Sequence, residues 1–362
     1  MKNRLTRTLF LVLFSIFIAI GIAEVSFHMF LPETYLLDWH SEEYWKAKLA
    51  EKMKKEKVDM TSSSKEIEKN IMYDPDLGWR MKLLYNSEGI QHNSKGFRGN
   101  KEYHIQSDET RIFAIGDSYT YGLGVADEYT FSTLIDQRSG IEVINAGVNG
   151  YGIDQAYLMW ELEGEKLNPS IVILGYFIDD FYRNTYPVRG KPKPHFVYDE
   201  ETETYVLKGV PVPDNKSVFE RGELQVDQWL KVFRIFPWIK NGIENRLGPE
   251  KVPNYQALLE KARLNEYILK RLNNSVKESG AKLIVVFIGY HAKCYEPSLE
   301  VQWVEDSIVE SCRSNGIEVV NLAKFMREDK FYSSFYAQHC HFTESGHRFA
   351  AEKIADKLGL EK

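Results

Sequence analysis

The chain is short of several things that mark large protein classes. Its three cysteines, Cys294, Cys312 and Cys340, make an odd count with no paired spacing, so they specify neither a disulfide scaffold nor a thiolate metal site. One pair is free to bridge if the domain is exported, with Cys340, between His339 and His341, the thiol expected to stay free. A basic surplus is missing too: 46 Lys and Arg stand against 52 Asp and Glu, a formal net charge of -6, which leaves nucleic acid without an electrostatic footprint. There is no glycine-rich phosphate loop with its lysine, no ligand spacing among histidines and acids, no internal repeat and no low-complexity tract. No metal and no cofactor is therefore expected, and no nucleic-acid partner.

Only one long apolar run is present, and it is N-terminal. Lys2, Arg4 and Arg7 precede Leu9 to Ala23, and after Glu24 the run resumes from Val25 to Leu31. A basic flank stays cytoplasmic, so residues 1–31 are expected to be a signal anchor that crosses the membrane once and leaves the rest of the chain outside. Gly21 and Ala23 also form a small-x-small site, and cleavage after Ala23 would instead give a secreted protein. Residues 32–72 read as a charged helical spacer, because opposite charges recur three and four residues apart from Ser41 to Glu68.

From residue 73 to residue 362 the pattern changes to alternating strands and helices. Short apolar runs rich in β-formers fall at Ile112–Ile115, Glu142–Asn145, Ile171–Phe177, Leu283–Ile288 and Ile317–Asn321. Helical spacing falls between them, at Tyr129–Arg138, Asp154–Leu167, Tyr255–Gly280 and Val301–Asn315, and again at Glu344–Leu358. Such alternation predicts an α/β fold with a parallel sheet covered on both faces. An insertion at about 187–252 interrupts it, with a hairpin at His195–Lys208 and an aromatic stretch at Leu224–Ile239 that reads as a lid, a packed helix or a membrane-surface contact. Aromatics make up 13% of the chain; core packing accounts for them, with stacking on sugars as the alternative use. Arg80 and Arg98, in turn-rich pieces before the first strand, suit structural ion pairs, with an anionic or sugar substrate as the other option.

The chemistry is concentrated where the first strand stops. R-I-F-A-I-G-D-S-Y-T-Y-G, from Arg111 to Gly122, is a buried strand broken by Gly116, and the turn presents Ser118 at the carboxyl end of the sheet. Asp117 and Ser118 are also good helix caps. Further on stand N-A-G-V-N-G-Y-G (Asn145 to Gly152), L-G-Y-F-I-D-D-F (Leu174 to Phe181) and H-C-H-F-T-E-S-G-H-R-F-A-A-E (His339 to Glu352). In order and spacing these blocks resemble those of the SGNH or GDSL family of serine hydrolases, across roughly Tyr73 to the C-terminus.

The resemblance implies a flavodoxin-like three-layer sandwich, the SGNH hydrolase fold, with Ser118 as nucleophile and His341 as base. It implies oxyanion donors from the backbone amides of Ser118 and Gly150 and from the third-block asparagine, whose place Asp179 takes here. His347, inside the last helix, is then structural. Two positions depart from the pattern. Asp179 as a carboxylate accepts hydrogen bonds and cannot donate them, so either Asn149 or Asn184 substitutes or the register of this loop shifts. The aspartate expected two or three residues before the base is replaced by His339 or Gln338, so Asp179 or Asp180 is expected to orient His341 instead. The implied activity is that of a serine esterase or O-acyltransferase on acyl, chiefly acetyl, esters of envelope or extracellular carbohydrate, held at the membrane by the N-terminal helix. A lipid acyl-hydrolase and a catalytically weak glycan-binding or scaffold module are the alternatives.

Overall fold

The computed structural model describes residues 69–87, 89–104, 110–189, 191–214, 255–290, 299–329, 334–337 and 340–360, all within one compact unit. The predicted anchor, most of the predicted spacer and the Leu224–Ile239 stretch lie outside the described residues. Among the described residues no helix is long and apolar enough to cross a membrane.

Two small antiparallel pairs lead in: β1 (Ile71–Asp74) with β2 (Gly78–Met81), and β3 (Asn86–Ser87) with β4 (Ile90–Gln91). The main chain of the fold then alternates. β5 (Arg111–Gly116) runs into α1 (Ser118–Tyr121) and α2 (Phe131–Ser139), and β6 (Glu142–Asn145) into α3 (Ile153–Met159). β7 (Ile171–Phe177) precedes α4 (Asp180–Arg183) and the hairpin β8 (His195–Asp199) and β9 (Thr204–Lys208). The remainder is α5 (Tyr255–Glu278), β10 (Lys282–Ile288), α6 (Leu299–Ser314), β11 (Glu318–Asn321), α7 (Leu322–Glu328) and α8 (Glu344–Leu358).

After Arg111 and Lys282 at their starts, strands β5 and β10, like β7, are apolar runs, and all but the first residues of β7 and β10 are buried, as strands covered on both faces must be. They form the centre of a five-stranded parallel sheet of order β11-β10-β7-β5-β6. Numbered along the chain, the sheet strands read 2-1-3-4-5. The order reverses between β5 and β7, and the carboxyl ends of those two strands are where a sheet of this topology receives ligands. Helix α2 packs on α8, while α5 packs on α6 and α3.

Two paired glycines set the approach of α1 to this edge. Gly116 lies opposite Gly175, and a Cβ on Gly116 would come 2.4 Å from Thr120 Oγ1 and 2.5 Å from the Gly175 carbonyl. A Cβ on Gly175 would meet Thr120 Oγ1 at 2.0 Å. Any larger residue at either place would push α1, and Ser118 with it, off the sheet.

Elsewhere the structure amends details. The helix predicted over Asp154–Leu167 is α-helical only to Met159 and continues as a π turn over Trp160–Gly164 and a 3-10 turn over Glu165–Leu167. The Gly164 backbone lies against the rings of Phe113 and Trp160, which no side chain at that position would permit. Helix α7 was not legible because Asn321 reads as a strand end. Its side chain accepts from the Lys324 amide and caps α7. The hairpin predicted at His195–Lys208 forms, and it packs on α3 and α5 through Phe196, Tyr157 and Tyr267. It borders a groove of about 600 Å³ that neither Ser118 nor His341 lines. Among the described residues Cys340 is disulfide-bonded and Cys312 is free, the reverse of the expectation for Cys340. The helical register of α6 turns Cys312 into the core, where burial pushes its thiol up to about 12.

Candidate active site

Ser118 is the first residue of α1. Asp117 before it is the N-cap, its carboxylate accepting from the Tyr119 amide at 2.9 Å. The capping reading of this turn is therefore correct, and the cap holds the turn that presents Ser118. Ser118 Oγ lies 2.9 Å from His341 Nε2. Residues 223 apart in sequence are thus brought to hydrogen-bond distance, as a nucleophile and its base require.

The loop that carries His341 is held by its own backbone and by Tyr119. Tyr336 and Phe342 form an antiparallel bridge, and the Ala337 amide donates to the His341 carbonyl at 2.8 Å. Tyr119 donates its hydroxyl to the Cys340 carbonyl at 2.5 Å, and its ring lies 5.1 Å from the His341 ring. Tyr119 therefore fixes the loop that carries His341. Sequence reading gave Tyr119 no role, since a tyrosine after G-D-S carries no signal of a partner 221 residues away.

His347 is a separate matter. It is fully buried, its Nδ1 accepts from the Phe131 amide at 3.3 Å, and burial holds it down to about 3. His92 is similarly buried, between the Lys82 carbonyl and the Tyr121 hydroxyl, and is held down to about 4. Both are neutral in the fold and take up protons when it opens. Their contribution to stability is present above the unfolded value of 6.5 and is lost as pH falls toward their folded values, with a slope of up to about 1.4 kcal/mol per pH unit each. The melting temperature is accordingly expected to fall between pH 7.5 and 5, and less steeply in His347→Gln, whose Ser118 keeps its reactivity. A wild-type melting temperature flat over that range would contradict this assignment.

The second-block loop lies against the nucleophile turn. The Val148 amide donates to the Gly116 carbonyl at 3.0 Å, and a Cβ on Gly147 would come 2.3 Å from the Tyr121 amide nitrogen. Gly150 adopts φ +85°, a conformation that frees it from L-residue geometry at the position expected to supply an oxyanion amide.

The third-block acids do not turn to the base as expected. Asp180 is fully buried, with one carboxylate oxygen 3.1 Å from the Phe177 amide and the other 2.6 Å from Arg183 Nη1. Asp179, at the position of the family asparagine, accepts from the Tyr290 hydroxyl and lies 3.5 Å from Arg183 Nη2. Arg183, three and four residues on, is a permanent cation whose guanidinium takes both carboxylates. The same Nη1 also reaches Asp117 at 2.9 Å and the Tyr151 carbonyl at 3.1 Å, so one guanidinium ties the first, second and third blocks together. Burial pushes the Asp117 and Asp180 carboxyls up, Asp180 well above its ordinary value, against the pull of Arg183. Burial works against the charge on Arg183 too, but the three acids override it and push its value up.

Arg183 was missed by sequence reasoning. The D-D-F-Y-R spacing signals a local helical pair, but nothing in it signals the reach to Asp117. Gln338 and His339 lie outside the described residues. Asn184 is committed elsewhere, donating to Asn265 Oδ1 at 2.6 Å and accepting from the Asp154 amide at 3.3 Å. Arg80 and Arg98 serve structure: Arg80 bonds Glu163 at 3.2 Å, and Arg98 pairs with Asp127 and lies 4.5 Å over the Tyr121 ring. Among the described residues no group of histidines, cysteines and acids is placed to hold a metal ion.

Residues 114–349 match the family described as GDSL-like lipase/acylhydrolase. Solved structures similar to the chain include the lipase/acylhydrolase from Enterococcus faecalis, at 13% identity and a TM-score of 0.42, covering 69% of this chain and 95% of that one. Another is Axe2, an acetylxylan esterase from Geobacillus stearothermophilus, at 13% identity and a TM-score of 0.41, covering 71% of this chain and 98% of that one. No curated protein matches the chain.

Proposed function

The chain belongs to the GDSL-like lipase/acylhydrolase family, whose members hydrolyse ester bonds, and from that premise we propose that it is an exported, membrane-anchored serine esterase or O-acyltransferase acting on short acyl, chiefly acetyl, esters of envelope or extracellular carbohydrate. The observation that carries an acyl-serine mechanism is the 2.9 Å hydrogen bond between Ser118 Oγ and His341 Nε2. Ser118 Oγ adds to the acyl carbon, its proton passes to His341 Nε2, and the carbonyl π pair moves onto oxygen. That pair then re-forms the carbonyl as the alcohol leaves with the proton from His341. Water or a sugar hydroxyl resolves the acyl-enzyme by the same steps in reverse.

A short acyl group suits the aromatic surround: Tyr119 packs 4.6 Å from Phe177 and 4.9 Å from Phe342, and Tyr290 closes on Phe177 at 5.5 Å. The basic residues and apolar run at the N-terminus support export and anchoring. The test is acetate release from O-acetylated oligosaccharides by the full-length protein, set against hydrolysis of a p-nitrophenyl palmitate. Short-acyl turnover is expected to exceed long-chain turnover by at least about 100-fold, since each unaccommodated methylene costs on the order of 1 kcal/mol or more. Equal or faster cleavage of the long chain would make it a lipid acyl-hydrolase. Acetyl transferred to an added sugar acceptor, rather than released, would mark the transferase.

A further inference from the structure

We propose that the side-chain amide of Asn149 supplies the oxyanion donor that the family asparagine provides elsewhere and that Asp179 cannot. This rests on the acyl-serine reading above. Asn149 is buried, 4% exposed, and both polar atoms of its amide, Nδ2 and Oδ1, are without a hydrogen-bond partner among the described residues. A buried amide left unpaired costs about 1–3 kcal/mol, so a protein that keeps one needs a reason, and a catalytic role is among the recognised ones.

Its position supplies the reason. Asn149 directly precedes Gly150, and its flanking backbone is fixed to the nucleophile turn from both sides. Val148 bonds the Gly116 carbonyl, and Tyr151 accepts from the same Arg183 nitrogen that reaches Asp117. The Asn149 carbonyl is itself held by Trp79 Nε1 at 2.9 Å, which leaves the side chain as the uncommitted part of the residue. The other donors near the third block are spent: Asn184 on Asn265, and the Tyr290 hydroxyl on Asp179. When Ser118 adds to the acyl carbon, the carbonyl oxygen gains a full negative charge. An Asn149 N–H can donate to it there without any bond of the asparagine changing. Such hydrogen bonds commonly close only in the tetrahedral state, so an open amide in the resting enzyme is the expected ground state.

The experiment follows the rate of fluorophosphonate labelling of Ser118 in the full-length protein, which passes through a charged state at the same oxygen site. Asn149→Ala and the near-isosteric Asn149→Leu are expected to label about 10²–10³-fold more slowly than wild type, with Asn149→Ser, which keeps a donor, in between. Their melting temperatures are expected to stay at or above the wild-type value, since no native hydrogen bond is lost. Labelling of Asn149→Ala within about threefold of wild type would overturn the proposal. So would slow labelling accompanied by equal loss of stability in both the Ala and Leu variants, which would mark a structural role. An unlabelled wild type would overturn the acyl-serine reading and this inference together, whereas a labelled wild type with unaffected variants overturns this inference alone.

Discussion

Ser118→Ala is expected to abolish fluorophosphonate labelling and to lower ester hydrolysis by at least about 10⁴-fold, and His341→Ala to do nearly the same. The magnitude follows from how the two groups act. A serine hydroxyl is a poor nucleophile until a base takes its proton, and His341 Nε2 is 2.9 Å from Ser118 Oγ. Loss of either partner removes the same step, so the double variant should be scarcely worse than either single one. The residual rate would come from the oxyanion donors alone. The altered third and last blocks do not reduce this expectation. In serine hydrolases of the three-residue kind, removal of the acid costs markedly less than removal of the serine or the base, so a changed acid lowers the ceiling without making the dyad dispensable. The measurement is active-site labelling with intact-mass readout, alongside initial rates on a short-chain ester. Labelling that persists in Ser118→Ala at the wild-type rate would show that the reactive serine lies elsewhere.

Much of this site was legible in the sequence because strand ends and glycines are local signals. The run Ile112 to Ile115 stopped by Gly116 gave both the strand and the presented serine, while the left-handed φ of +85° at Gly150 is seen only in the fold. The last helix was read at Glu344–Leu358 and is found there, because Thr343 caps it and Gly359 ends it. What was illegible is long-range polar pairing. Asp179 and Asp180 invite the guess that a displaced acid serves the base, and only the fold reveals that Arg183 claims them. Cys340 misled for the same reason: its histidine neighbours suggested a thiol left free, but disulfide pairing is a matter of spatial approach, on which sequence is silent.

The burial of Arg183 among acids sets the second large effect. Arg183→Met is expected to cost about 3–5 kcal/mol of folding stability, because it strips the buried carboxyls of Asp117 and Asp180 of their counter-ion. At about 2–4 °C per kcal/mol for a domain of this size, the melting temperature should fall by roughly 6–20 °C. The loss should depend on pH in a definite sense. Burial already raises both carboxyls above their unfolded value, so without the guanidinium their penalty is absent below about pH 4 and grows as pH rises through the folded values. The gap between wild type and Arg183→Met should therefore narrow on acidification. Neutralising the stranded acids, in Arg183→Met with Asp117→Asn and Asp180→Asn, should recover much of the stability, since it removes the uncompensated charge. Activity should not return with it. The same guanidinium nitrogen holds the turn of Ser118, through Asp117, and the loop of Gly150, through the Tyr151 carbonyl, so without Arg183 the two amides proposed to face one oxyanion lose their common anchor. A stable triple variant with wild-type labelling rates would assign Arg183 to stability alone.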